Sequence, residues 1–354
     1  MKSLPEQRLS IVVSPTAATI MRFVAFIALA ASFAAPTHGA AAERPVYGPQ
    51  LEGFDYPHEV RRFEFESQRQ PLSMAYMDVA PAKSNGRTVV LLHGKNFCAA
   101  TWESGISALA EAGYRVIAPD QIGFCKSSKP ERYQFTLAQL ADNTHALLQK
   151  LGVARAVVVG HSMGGMLAAR YALQYPQHTA RLVLVNPIGL EDWRAEGVPW
   201  RNVDAWYANE LKTDFDSIRK YQQTVYYGGN WKPEYERWVT MLAGMYAGPG
   251  KERVAWNQAL TSDMLLNQPV LYEFPRIRVP ATLLIGQRDR TAIGKDQAPP
   301  DIAQQLGDYP QLGKRAARLL RAELVEFDDL GHSPQVESPE RFNESLLRAL
   351  DAKP

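Results

Sequence analysis

A serine hydroxyl becomes a useful nucleophile only when a base, an acid behind that base and a pair of oxyanion donors surround it. The chain places one serine where such help can converge, in Gly160-His161-Ser162-Met163-Gly164-Gly165. Before it runs ARAVVVGHS, an apolar stretch of the buried-strand type, and after it MGGMLAARYALQY, which reads as a helix. A nucleophile on that sharp strand-to-helix turn sits in a strained backbone conformation with its hydroxyl presented outward. The flanking glycines leave room for the turn, and the helix N-terminus behind it offers backbone N–H groups to a developing oxyanion.

His332 is the expected base, in the loop Asp329-Leu330-Gly331-His332-Ser333-Pro334. The other histidines beyond residue 42 fit less well. His58 precedes the core, His93 and His161 belong to motifs of their own, and His145 and His178 lie on or beside helices. Asp289, at the end of the strand-like LLIGQRD, is the expected carboxylate that fixes the tautomer of the base. The oxyanion hole is assigned to the N–H of Met163 and the N–H of Lys95 in His93-Gly94-Lys95-Asn96, with the Asn96 side chain as a further contributor. Each such donor contributes about 3 kcal/mol of transition-state stabilisation.

These residues need a scaffold that brings strand ends together. RRFEFES and LSMAYMDV alternate as two strands, and VVLLHG, YRVIAPD, ARAVVVGHS and RLVLVNP are buried runs with helical spacing between them. Such alternation predicts a mostly parallel sheet with helices on both faces. It breaks at Ile188 and resumes at ATLLIGQRD; ELVEFDDLG and ERFNESLLRALDA then give a last strand and a closing helix. The expected organisation is a core of residues 43–187 and 277–354, with residues 188–276 as an inserted helical cap. That insert is rich in aromatics from Trp193 to Trp256, most of them expected to pack the cap onto the core.

The chain has 354 residues, 46% hydrophobic and 21% charged, with a formal charge of +2. This is a globular composition without a basic patch, so no nucleic-acid partner is expected. Met21 to Ala42 reads MRFVAFIALAASFAAPTHGAAA: a basic start, a short apolar stretch and A-x-A spacing at Ala40 and Ala42. That pattern predicts a secretory signal peptide within residues 1–42, translation starting at Met1 or Met21, and a periplasmic or secreted product. An uncleaved anchor is the only expected membrane link. Removing Lys2, Arg8, Arg22 and Glu6 with it leaves 36 basic and 36 acidic residues. Cys98 and Cys125 survive and can pair in an oxidising compartment.

Together LLHG, Asp120 to Pro130 (DQIGFCKSSKP), GHSMGG, LLIGQRD and GHSPQVESPERF resemble the α/β-hydrolase superfamily, over about Val89 to Leu350. The similar branch holds haloalkane dehalogenases, epoxide hydrolases, C–C bond hydrolases and small esterases. The resemblance implies an eight-stranded sheet and the chain order Ser162, Asp289, His332 for the catalytic residues. Dehalogenases and epoxide hydrolases of that branch carry an aspartate where this chain has Ser162, which argues against both activities. Relatives commonly have glycine where this chain has Cys125. In them that loop and the one bearing Cys98 leave the sheet beside the active site, which implies a Cys98–Cys125 disulfide pinning the oxyanion loop.

The expected activity is acyl transfer on a small apolar or aromatic carboxylic ester, with a small molecule as the only partner and no metal or organic cofactor. No H-E-x-x-H, paired C-x-x-C, P-loop or convincing dinucleotide motif is present. The alternatives are cofactor-free C–C bond hydrolysis with the same triad and a non-catalytic binding protein on this scaffold. Cofactor-free oxidation, as in haloperoxidase-like relatives, ranks last. Lys126, Lys129 and Arg194 are surface cations that can also be read as binders of an anionic substrate.

Overall fold

The computed structural model describes residues 44–352 together with Ser10; the expected signal peptide otherwise lies outside the described residues. Residues from Arg44 onward form one compact unit. Two antiparallel strands, β1 (Val60–Ser67) and β2 (Gln70–Val79), open it, and β3 (Thr88–Leu92) follows. Then come α1 (Glu103–Glu111), β4 (Arg115–Pro119), α2 (Leu137–Lys150), β5 (Ala156–His161), α3 (Met163–Gln174) and β6 (Thr179–Val185). Between β6 and the next strand lie α4 (Val203–Glu210), α5 (Phe215–Tyr221), α6 (Glu236–Ala247) and α7 (Lys251–Asn267). β7 (Ala281–Gly286), α8 (Pro300–Gln305), α9 (Tyr309–Leu320), β8 (Glu323–Phe327), α10 (Pro334–Glu337) and α11 (Pro339–Asp351) complete the chain.

The eight strands form one sheet in the order β1-β2-β4-β3-β5-β6-β7-β8. β1–β2 and β2–β4 pair antiparallel and every other pair is parallel. Continuous apolar runs suit central strands because both faces are covered. On β3, Val89 and Leu91 pack into one core, and Val90 and Leu92 into the other. β5, β6 and β7 divide their side chains in the same way, so each strand fills two cores with a period of two. Burying one such Val or Leu side chain stabilises the fold by about 1.5–3 kcal/mol.

The register sets the catalytic edge. Leu92 lies beside Gly160, Gly160 beside Leu184, and Val185 beside Leu284. The parallel strands therefore end together, and the loops after β3, β5, β7 and β8 leave the sheet on one side. Strand β6 stops at Val185 rather than running to Pro187, because Asn186 adopts φ 37° and turns the chain. No helix is assigned from sequence between Asp289 and Glu323, yet α8 and α9 lie there. On α9, Tyr309, Leu312, Ala316 and Leu320 are buried at helical spacing, forming the crossover that parallel β7 and β8 require. Among the described residues no helix is long and apolar enough to cross a membrane.

Candidate active site

Ser162 is the N-cap of α3 and has φ 56°, ψ −120°. Holding a non-glycine residue there costs about 1–3 kcal/mol, sustained by the surrounding packing. Glycine neighbours are required sterically: a Cβ on Gly160 would strike the carbonyl of Gly164, and a Cβ on Gly164 the carbonyl of Leu92. Met163, the first helical residue, has one of the leading N–H groups that lack an intrahelical acceptor. Gly94 lies against the same serine, since a Cβ added there would approach Ser162 Cβ to 2.9 Å. The loop bearing Lys95 and Asn96 is thereby brought beside Ser162.

His332 and Asp289 are completely buried, with Nδ1 and Oδ2 2.6 Å apart. A carboxylate oxygen can only accept here, so Nδ1 carries the proton and Nε2 presents its lone pair. That Nε2 has no hydrogen-bond partner among the described residues; Ser162 Oγ does not occupy it in this conformation. Such contacts are often long without substrate and tighten in the reacting complex. Asp289 is held as a pure acceptor: Oδ1 takes the N–H of Thr291 at 2.8 Å, and Oδ2 also takes Asn186 Nδ2 at 2.9 Å.

The backbone of the histidine loop is anchored residue by residue. His332 N–H donates to the Tyr226 carbonyl at 2.7 Å, and the His332 carbonyl accepts from His161 Nε2 at 2.8 Å. His161 therefore carries its proton on Nε2, and burial holds its pKa well below the usual histidine range. The ring of Tyr226 lies 4.4 Å from that of His332. Glu337, at the end of α10, accepts the N–H groups of Gly331 at 3.0 Å and Ser333 at 3.1 Å, one on each side of the base. Sequence reading misses Asn186, His161 as a tether, Tyr226 and Glu337, because each works through a contact distant along the chain.

Burial raises the Glu337 carboxyl from its ordinary 4.5 to about 7, against the pull of its two backbone donors. Between these values the folded chain holds a proton that unfolding releases, so acid favours the fold. This contribution is complete below about pH 4.5 and is lost as pH rises through about 7. Relative to Glu337→Gln, which cannot titrate, the wild type is expected to gain up to about 3 kcal/mol of unfolding free energy between pH ~8 and pH ~5. Denaturant melts across that range would show a constant difference if the side chain were ordinary.

Cys98 and Cys125 are joined in a disulfide with Cα atoms 5.9 Å apart, linking the loops after β3 and β4. His93 adds a second link between them, accepting the N–H of Gln121 on Nε2 at 3.0 Å. A cavity of about 560 Å³ opens over Ser162, lined by Lys95 and Asn96 of the loop after β3, by Arg290 to Asp296 of the loop after β7 and by residues between Ile188 and Ser262. Trp206, Tyr221, Tyr226 and Tyr246 supply its aromatic walls, while Trp193, Tyr227, Tyr235 and Trp238 are buried in packing. Asn96 lines the cavity with its side-chain amide donating to Tyr226 Oη at 2.9 Å, so one amide hydrogen is committed away from an oxyanion. Lys126, Lys129 and Arg194 are not in its lining; each donates to a backbone or side-chain oxygen elsewhere.

Residues 87–339 match the family model described as alpha/beta hydrolase fold. The chain belongs to that family. The alpha/beta hydrolase chain is similar over nearly its whole described length to a solved structure, a probable hydrolytic enzyme from Pseudomonas aeruginosa PAO1. The two are 64% identical with a TM-score of 0.86, covering 87% of this chain and 99% of the other. A solved esterase from Exiguobacterium antarcticum is 20% identical with a TM-score of 0.59, over 79% of this chain and 96% of that one; this likeness concerns the fold alone. Among curated relatives, the cis-3-alkyl-4-alkyloxetan-2-one decarboxylase of Xanthomonas campestris pv. campestris is 33% identical over 38% of this chain and 46% of its own. The 2-hydroxy-6-oxo-6-phenylhexa-2,4-dienoate hydrolase of Comamonas testosteroni is 30% identical over 40% of this chain and 51% of its own. The chain thus spans about half the length of these two curated relatives.

Proposed function

We propose that this alpha/beta hydrolase is an exported serine esterase that cleaves small, apolar or aromatic carboxylic esters through an acyl-enzyme. The observation that carries the reading is the free, buried Nε2 of His332, whose ring is fixed by Asp289 at 2.6 Å. It belongs to the loop tethered to His161, the residue next to Ser162. Ser162 Oγ attacks the carbonyl carbon as its proton passes to His332 Nε2. The N–H groups of Met163 and Lys95 hold the oxyanion. The acyl–oxygen bond then breaks, and His332 returns the proton to the departing alcohol. Water gives a proton to His332 and its hydroxide to the acyl carbon, and Ser162 leaves reprotonated as the acid is released. None of these steps calls on a cofactor.

The aromatic walls of the cavity favour apolar ligand bodies. The apolar stretch from Phe23 to Ala35 and the Cys98–Cys125 pairing support export to an oxidising compartment, periplasmic or extracellular. C–C bond hydrolysis is a second reading, favoured by the partial similarity to the Comamonas testosteroni dienoate hydrolase. The test is a panel of 4-nitrophenyl esters set beside a vinylogous 1,5-diketone acid, with products identified by mass spectrometry. Ester turnover with little action on the diketone acid is expected; the reverse preference would move the assignment to the second reading.

A further inference from the structure

One polar device in the cavity wall has no part in the acyl-transfer steps. Lys95 Nζ lies 2.9 Å from Oε1 of Glu210, and the other oxygen of that carboxylate accepts Tyr246 Oη at 2.6 Å. Lys95 belongs to the loop beside Ser162, Glu210 is the last residue of α4 and Tyr246 lies on α6. All three line the cavity that Ser162 opens into. The Lys95 and Glu210 side chains are only 12% and 14% exposed, so the pair is largely desolvated. Of the other charged lining groups, Asp296 is paired with Arg201 at 2.7 Å, whereas Arg290 and Lys295 donate to the carbonyls of Asp289 at 2.9 Å and Leu306 at 2.8 Å and keep their charges.

Resting on the esterase reading, we propose that Glu210 is a specificity-determining residue that makes the cavity select uncharged acyl groups over carboxylate-bearing ones. With Lys95 neutralised in place, a substrate carboxylate beside Ser162 meets the Glu210 carboxylate, and the cations left to it are Arg290 and Lys295 on the loop after β7. In a largely dehydrated site, bringing like charges together or separating a formed pair is costly. Selection therefore works by repulsion as much as by apolar fit. Removing the Glu210 charge frees the ammonium and turns the same wall into an anion site.

The experiment compares kcat/KM for 4-nitrophenyl butyrate and mono-4-nitrophenyl glutarate. The wild type is expected to prefer the butyrate. In Glu210→Gln the glutarate-to-butyrate ratio is expected to rise about tenfold or more, chiefly through KM of the glutarate. In Lys95→Gln, where Glu210 is left unpaired, the ratio is expected to fall, and this arm stands even if the first variant folds poorly. A ratio that stays unchanged in both variants, or a wild type that prefers the glutarate, overturns the proposal. Hexanoate binding by calorimetry separates this failure from that of the esterase reading, because it needs no turnover. Binding to Glu210→Gln about tenfold tighter than to wild type upholds the charge filter even where neither ester is cleaved, and equal binding there refutes it.

Discussion

Ser162→Ala is expected to lower kcat for the best ester by about a millionfold, leaving only what cavity binding and the oxyanion donors supply. The loss arises because, among the described residues, no other hydroxyl shares the elbow geometry at φ 56° beside Gly94. The alanine removes one oxygen from a position that faces the cavity, so the thermal midpoint should stay close to wild type. Substitution of a surface serine such as Ser107 is the matched control. Activity that survives in Ser162→Ala at more than a percent of wild type would assign the nucleophile elsewhere.

Asp289→Asn is expected to lower kcat by about ten-thousandfold through the tautomer of His332. Both oxygens of Asp289 receive only donors: Thr291 N–H on one, Asn186 Nδ2 and His332 Nδ1 on the other. An asparagine has a single acceptor oxygen. With its oxygen towards Thr291, its amide meets Asn186 and drives the His332 proton to Nε2, where it blocks the base. With its oxygen towards His332, it opposes the N–H of Thr291. Either arrangement buries a donor without an acceptor, which costs about 1–3 kcal/mol of stability. Kinetics and melts on one preparation check both effects, and unchanged kcat in a folded protein would remove Asp289 from the mechanism.

The sheet is legible in the sequence because buried parallel strands write themselves as apolar runs: VVLLHG, ARAVVVGHS and ATLLIGQRD each end at a site loop. Ser162 and Asp289 can be placed for the same reason, since each sits just past such a run, whereas His332 follows the edge strand β8, where Glu323 and Glu326 break the apolar pattern. Asn186 is not legible, because a strand reading carries RLVLVNP through to Pro187, whereas the left-handed turn that aims its amide at Asp289 depends on tertiary support. Glu337 looks in sequence like an ordinary loop residue ahead of the closing helix, and only the folded loop turns its carboxylate onto Gly331 and Ser333. Lys95 illustrates a third limit. Its backbone is placed by the His93-Gly94 motif, but its side chain answers to Glu210, 115 positions away. The crossover helix α9 carries readable spacing from Tyr309 to Leu320, although Pro310 in its first turn and Gly313 within it obscure the pattern.

The most direct measurement of the nucleophile is peptide mapping by mass spectrometry after reaction with a fluorophosphonate. One phosphonyl group on the peptide containing Ser162, absent when His332 is replaced by alanine, is the expected result. A fully folded protein that takes no label, or takes it on another residue, would contradict the assignment.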